Sequence, residues 1–203
     1  MKTFFTALLL FPGIASVEGA AKNDFVPMFD GETLKGWEAT PAKIAPAWTV
    51  QDGMIVGNGD KGRGYLTYTA NKNVADLELK FSYRFPGKGN SGVNIRAIPD
   101  KTHRREHRCF RGDRLVIAEN DQPAITPIKN ALTAADIRKG DWNHVHIIVE
   151  GNLFQLFING KLSSEFTEHL PQAKRLQSGM IQLQLHDPGM IVQFRDLQLK
   201  VLK

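Results

Sequence analysis

Gln182, Gln184 and His186 alternate with Ile181, Leu183 and Leu185. A period of two sends the apolar side chains to one face of a strand and the two amides and the imidazole to the other. An imidazole beside neutral hydrogen-bonding groups is a candidate acid–base group, and His186 has that setting. Asn94 and Arg96 alternate in the same way with Val93 and Ile95. Asn90 sits in the glycine-rich turn before them, and Glu119 follows the strand-like run Leu115 to Ala118. Each has a structural alternative. The polar face of an antiparallel strand is ordinarily its solvated side, His186 precedes the turn Asp187-Pro188-Gly189, Arg96 could pair with Glu78 or another cross-strand acid, and Asn90 suits a turn that needs a positive φ.

Two further patterns fail on context. His103-Arg104-Arg105-Glu106-His107 has the H-x-x-E-H spacing of a zinc site, which requires a helix to bring both histidines to one face. Here it lies in an arginine-rich stretch without a helical apolar stripe, and a solvated loop is expected. Glu119-Asn120-Asp121 begins the Glu-x-Asp-x-x-Glu strand of retaining glucanases, but Ala124 stands where the last acid should be. Lys101, Arg104, Arg105, Arg108, Arg111 and Arg114 hold most of the basic excess and read as a solvated run. The formal net charge of +5 is modest, and nucleic acid is not an expected partner. Cys109 is the single cysteine. It permits no intrachain disulfide and no cysteine-rich zinc site, and it is expected to be a partly buried, inert thiol.

These residues need strands to position them. Leu77 to Phe85, Val93 to Ala97, Val145 to Val149 and Ile181 to Leu185 all keep the period of two, bounded by Gly, Asn or Pro. Glu150-Gly151-Asn152 reads as one hairpin connection, and Asn159-Gly160 as a type I′ turn. No helix longer than the Thr133 to Lys139 stretch is expected, with Thr133 as its N-cap and Asp136 in its first turn. The expectation is an all-β, two-sheet antiparallel sandwich of jelly-roll type. The 203 residues, 42% hydrophobic and 23% charged, suffice for one ordinary core. Ahead of it, Lys2, the apolar run Phe4 to Phe11 and the small residues Ala15 to Ala21 have the order of a signal peptide. That run is shorter than the ~20 residues of a membrane span. Cleavage is expected between Ala20 and Lys22, so that 1–21 is removed and 22–203 forms a single exported domain, periplasmic or secreted.

In order along the chain, Phe29-Asp30-Gly31-Glu32-Thr33-Leu34-Lys35-Gly36-Trp37, Trp48 to Gly57, Gly64-Tyr65-Leu66, Leu77 to Phe81, Gly89-Asn90-Ser91-Gly92-Val93 with Arg96, Gly140-Asp141-Trp142-Asn143, Ile181 to His186 and Val192 to Leu197 resemble the 3-keto-disaccharide hydrolase domain family. The resemblance covers about Phe25 to Leu199. It implies a concanavalin A-like jelly roll in a bacterial exported carbohydrate protein. It also implies cleavage of glycosides oxidised at C3: the carbonyl acidifies the C2 hydrogen, a base removes it, the C1 substituent departs, and hydration completes net hydrolysis. In that chemistry His186 and Glu119 are the candidate catalytic groups. Asn90, Asn94, Arg96, Gln182 and Gln184 are the candidate substrate contacts, and a donor or divalent metal ion would hold the enolate oxygen. The sequence departs from the family pattern at Ser82, Arg114 and Val116, where polar site groups are usual. A non-catalytic lectin-like sugar-binding module is the alternative. The sequence leaves the aglycone, the metal and the oligomeric state open.

Overall fold

The structure, a computed structural model, describes residues 24–98, 105–111, 132–169 and 171–203, with the side chains of 105–111 and of Lys174 outside that description. Among the described residues, thirteen strands run in chain order: β1 (Val26–Pro27), β2 (Trp37–Thr40), β3 (Trp48–Gln51), β4 (Met54–Asn58), β5 (Gly64–Tyr68), β6 (Leu77–Arg84), β7 (Gly92–Ile98), β8 (Arg105–Arg111), β9 (Asn143–Glu150), β10 (Leu153–Ile158), β11 (Lys161–Thr167), β12 (Met180–Leu185) and β13 (Ile191–Val201). They form two antiparallel sheets. The larger is ordered β11-β10-β9-β6-β13-β4-β3, with β1 also on β13, and the smaller β2-β5-β12-β7-β8. This is the two-sheet sandwich that the alternation predicts.

Alternation also explains the core. Leu77, Leu79, Phe81 and Tyr83 of β6, Val145, Ile147 and Val149 of β9, and Val192 and Phe194 of β13 face inward from the larger sheet. Leu66, Val93, Ile95, Ile181, Leu183 and Leu185 meet them from the smaller one, and all belong to one apolar cluster. Each such side chain contributes about 1.5–3 kcal/mol by leaving water. Trp48 packs in this core at 3% exposure, as does Trp37, whose Nε1 donates to Met28 O at 2.7 Å. Trp142 instead has two guanidinium groups over its ring, Arg84 at 4.7 Å and Arg195 at 4.1 Å.

The turns follow the sequence closely. Asn159 and Gly160 have φ of 51° and 80°, the pair of positive values a type I′ turn requires, and Gly151 joins β9 to β10. Two expectations change. The Thr133 to Lys139 helix is one 3-10 turn, Ala134–Asp136. Thr133 N and Oγ1 both donate to Asp136 Oδ2, but Gly140 at φ 72° turns the chain into β9 before a second turn can form. Part of the expected arginine-rich loop is strand: Arg105–Arg111 pairs antiparallel with β7. Backbone pairing with β7 removes the helix that the H-x-x-E-H spacing would need. The thiol of Cys109, the first 23 residues and Arg114 and Val116 lie outside the description. No helix among the described residues is long and apolar enough to cross a membrane.

Candidate active site

The outer face of the smaller sheet carries a polar row that crosses four strands. In register, Glu38 and Thr40 of β2 lie opposite Thr67 and Tyr65 of β5, which lie opposite Gln182 and Gln184 of β12. Asn94 of β7 lies opposite Gln182 on the other side. Bonds link the row: Thr40 Oγ1 to Thr67 Oγ1 at 2.8 Å on a diagonal, and, between partners in register, Gln182 Nε2 donating to Thr67 Oγ1 at 3.1 Å and Asn94 Nδ2 donating to Gln182 Oε1 at 3.4 Å. This face is not the solvated side that its alternation suggests. Asn94 is 0% exposed, and Thr67, Gln182 and Gln184 no more than 6%. Asn94 Oδ1 has no hydrogen-bond partner among the described residues. A buried acceptor left unpaired costs about 1–3 kcal/mol, so the row asks for an explanation other than stability.

At the end of β12 the row meets His186. Its Nδ1 lies 2.5 Å from Asp187 Oδ1 and 3.2 Å from Asn90 Nδ2, and its Nε2 lies 2.7 Å from Arg63 Nη2. Arginine can only donate, so Nε2 offers its lone pair and the proton sits on Nδ1, directed at Asp187. Hydrogen bonds from His186 and then Asn90, with the charges of His186 and Arg63, hold the Asp187 carboxyl below its ordinary range. The imidazole is half-buried, with 29% of its side chain exposed, so a ligand can reach it.

Local sequence explains the convergence. Asn58 Oδ1 accepts from Asp60 N and starts the 3-10 turn Gly59–Lys61. That turn docks on the loop after β12: Gly59 N donates to Met190 O at 2.9 Å, and Gly189 N to Asp60 Oδ1 at 2.7 Å. A Cβ at Gly59 would lie 1.9 Å from Asp187 O, so only glycine permits this approach. The docked turn leads straight into Arg63 and β5. From the other side, Ser91 Oγ donates to Gln184 O at 2.7 Å and brings the turn that carries Asn90 against β12.

The structure therefore assembles Asn90, Asn94, Gln182, Gln184 and His186 on one sheet face. Arg96 goes elsewhere. At φ 50°, within irregular β7–β8 pairing, it buries its guanidinium among Ala75 O, Gly151 O, Leu176 O and Asp76 Oδ1, at 3.0, 2.9, 3.1 and 2.8 Å. It ties three loops together at the far end of β7 from Asn90. Glu119 lies outside the described residues. Ser82 stands on the outer face of the larger sheet, on the opposite side of the sandwich, so the missing acid at that position takes nothing from the His186 cluster. Arg63 and Asp187 are the site groups that sequence reasoning missed. Asp187 was legible as a carboxylate adjacent to His186; Arg63 had no signal, because only the docking of two turns brings it there. Among the described residues no group of three or more histidine, cysteine, aspartate or glutamate side chains could hold a metal ion.

Comparison with known proteins agrees with this architecture. Residues 24–200 match the family described as the 3-keto-alpha-glucoside-1,2-lyase-like domain. The chain belongs to that family. No curated protein matches it significantly. Among solved structures, two candidate glycosyl hydrolases from Parabacteroides distasonis are similar to it. One shares 17% identity, with 88% of this chain and 94% of that chain covered and a TM-score of 0.64. The other shares 20%, with 88% and 99% covered and a TM-score of 0.63. The carbohydrate-binding module CBM66 of Bacillus subtilis matches at 15% identity over 81% of this chain and 95% of its own, with a TM-score of 0.59. At these identities the likeness is one of fold, and membership places the protein in a carbohydrate-active family.

Proposed function

We propose that the protein cleaves 3-keto-glycosides by elimination and hydration, with His186 as the general base. The observation that carries this reading is the grip on His186: Asp187 at Nδ1 and Arg63 at Nε2. Asp187 fixes the tautomer, so the basic lone pair is Nε2, and it stabilises the imidazolium that forms when Nε2 takes the C2 proton. Arg63 then has a second use. It is a permanent cation already at the base, and the C3 carbonyl oxygen of an oxidised sugar is an acceptor that can draw it away from Nε2. The same movement frees the lone pair and places a guanidinium donor on the oxygen that becomes an enolate. Loss of the C1 substituent follows, and addition of water across the resulting double bond completes net hydrolysis. Gln182 and Gln184 supply neutral contacts to the ring hydroxyls, with Asn94 holding the Gln182 amide from the neighbouring strand and Asn90 donating to Asp187. The signal-like residues 1–21 fit export to the periplasm or beyond, where such glycosides would be met.

The test is incubation of the protein with aryl 3-keto-glucosides carrying several leaving groups. Wild type should release the aglycone, and His186→Ala should lower kcat by about 10²–10⁴-fold, the usual contribution of a positioned base. Saturable binding without turnover by the wild type for every leaving group would overturn the enzymatic reading in favour of a lectin-like module.

A further inference from the structure

The outer face of the larger sheet, across the sandwich from His186, is also built for a ligand. Strands β10, β9, β6 and β13 are neighbours there and carry an open recess of about 400 Å³, within the roughly 300–1,000 Å³ of small-molecule sites. Ser82 lies at its base, 3% exposed, with Oγ 2.9 Å from His144 Nδ1 and 3.2 Å from Asp196 Oδ2. Phe157 and Gln198 line the recess beside them.

Asp196 reaches the recess by a departure from regular strand geometry. Along β13, Val192 and Phe194 point into the core, and strict alternation would send Asp196 after them. The register slips by one residue between Arg195 and Gln198, so that Arg195 pairs with Ser82 and Gln198 with Lys80. Asp196 stands in the slip at φ 56° and is turned outward with 63% of its side chain exposed, while Leu197 takes the core position at 2%. A bulge of this kind re-aims a side chain. Here it takes a carboxylate that would be buried unpaired and presents it over Ser82.

We propose that this recess is a second sugar site that takes a neutral, unoxidised pyranose ring. The inference is independent of the cleavage reading. Asp196 Oδ1 and His144 Nε2 make no bond to another described residue, and both project where hydroxyls of a ring can reach them. Asp196 accepts from a hydroxyl, the imidazole donates or accepts, and the Gln198 amide does both. Phe157 supplies the apolar surface that the C–H face of a pyranose needs. Neither charge selects a uronic acid: Asp196 Oδ2 lies 3.3 Å from Arg195 Nε, and Lys80, which also lines the recess, has its ammonium drawn over the Phe25 ring at 4.1 Å, so a neutral ring fits better than an anionic one. A site here leaves the His186 face free, so that one glycan could anchor the protein while another is processed.

The test is titration of the isotopically labelled full chain with methyl glucosides, galactosides and mannosides, and with glucuronate, read by nuclear magnetic resonance. At least one methyl glycoside should bind saturably with a millimolar Kd and shift the resonances of Phe157, His144 and Gly160, with glucuronate at least about tenfold weaker. Phe157→Ala and Asp196→Asn should each weaken binding by about tenfold or more, the asparagine also tolerating the left-handed backbone, while His186→Ala leaves it unchanged. The proposal is overturned if no methyl glycoside perturbs these residues, or if the perturbation falls at His186 and vanishes in His186→Ala.

Discussion

Arg63 Nη2 lies 2.7 Å from Nε2 of His186, the nitrogen whose lone pair would take the substrate proton. A cation on a general base is productive only if the substrate competes for it, which an oxyanion forming at C3 does. Arg63→Ala is therefore expected to leave His186 more exposed yet lower kcat with 3-keto-glucosides by about 10²–10³-fold, the range for loss of one donor to a developing oxyanion. Arg63→Lys keeps the charge without the fork and should recover part of the loss. A rate equal to wild type in Arg63→Ala would leave the guanidinium as a resting-state cap alone.

Arg96 belongs to the fold rather than to the His186 face. Its guanidinium is shared among three carbonyls and Asp76 from separate loops, and its removal strands those acceptors. Arg96→Ala should cost about 3 kcal/mol, which for a domain of this size is a fall of roughly 6–12 °C in Tm. Differential scanning calorimetry measures it. An unchanged Tm together with a raised KM would return Arg96 to the substrate side.

Acid should weaken the fold through Glu78 and His146. His146 Nε2 lies 2.9 Å from Glu78 Oε2, and Lys200 Nζ 2.9 Å from Glu78 Oε1. The bond from Lys200, above all, holds the Glu78 carboxyl below its ordinary 4.5. Burial, first among its influences, pushes the His146 imidazole below 6.5, with Lys80 and Lys200 acting in the same direction and Glu78 against them. Both groups bind fewer protons folded than unfolded, so both add stability that is whole at higher pH and lost on acidification. The histidine share is whole above pH 6.5 and lost as pH falls below it; the Glu78 share is lost below pH 4.5. Both side chains are partly solvated, so the shift in Tm is small. Thermal melts from about pH 7 to about pH 5 should show a decline that His146→Gln reduces. An identical decline in that variant would assign it to other groups.

How much of this was legible in the sequence follows from the range of each signal. Alternation is local, so Leu77 to Arg84 and Ile181 to Leu185 announced their strands and the face each side chain takes, and Asn159-Gly160 announced its turn because two consecutive positive φ values are a property of two residues. The same rule placed Gln182, Gln184 and His186 together. It failed where strands are irregular. Arg96 and Asp196 both stand at positive φ where pairing slips, and one shifted residue reverses the face on which a side chain emerges.

The sequence by itself determined the two-sheet sandwich, the polar row on β12 and the histidine at its end, because period, turn chemistry and an adjacent carboxylate are all written within a few residues. Only the tertiary structure decided that the row is buried, that Arg63 joins His186 from 123 positions away, that Ser82 faces the opposite side of the sandwich, and that Arg96 serves the fold. Those facts depend on which sheet face meets the core and on the docking of two remote turns, and contacts between distant parts of a chain leave no periodic mark on either part.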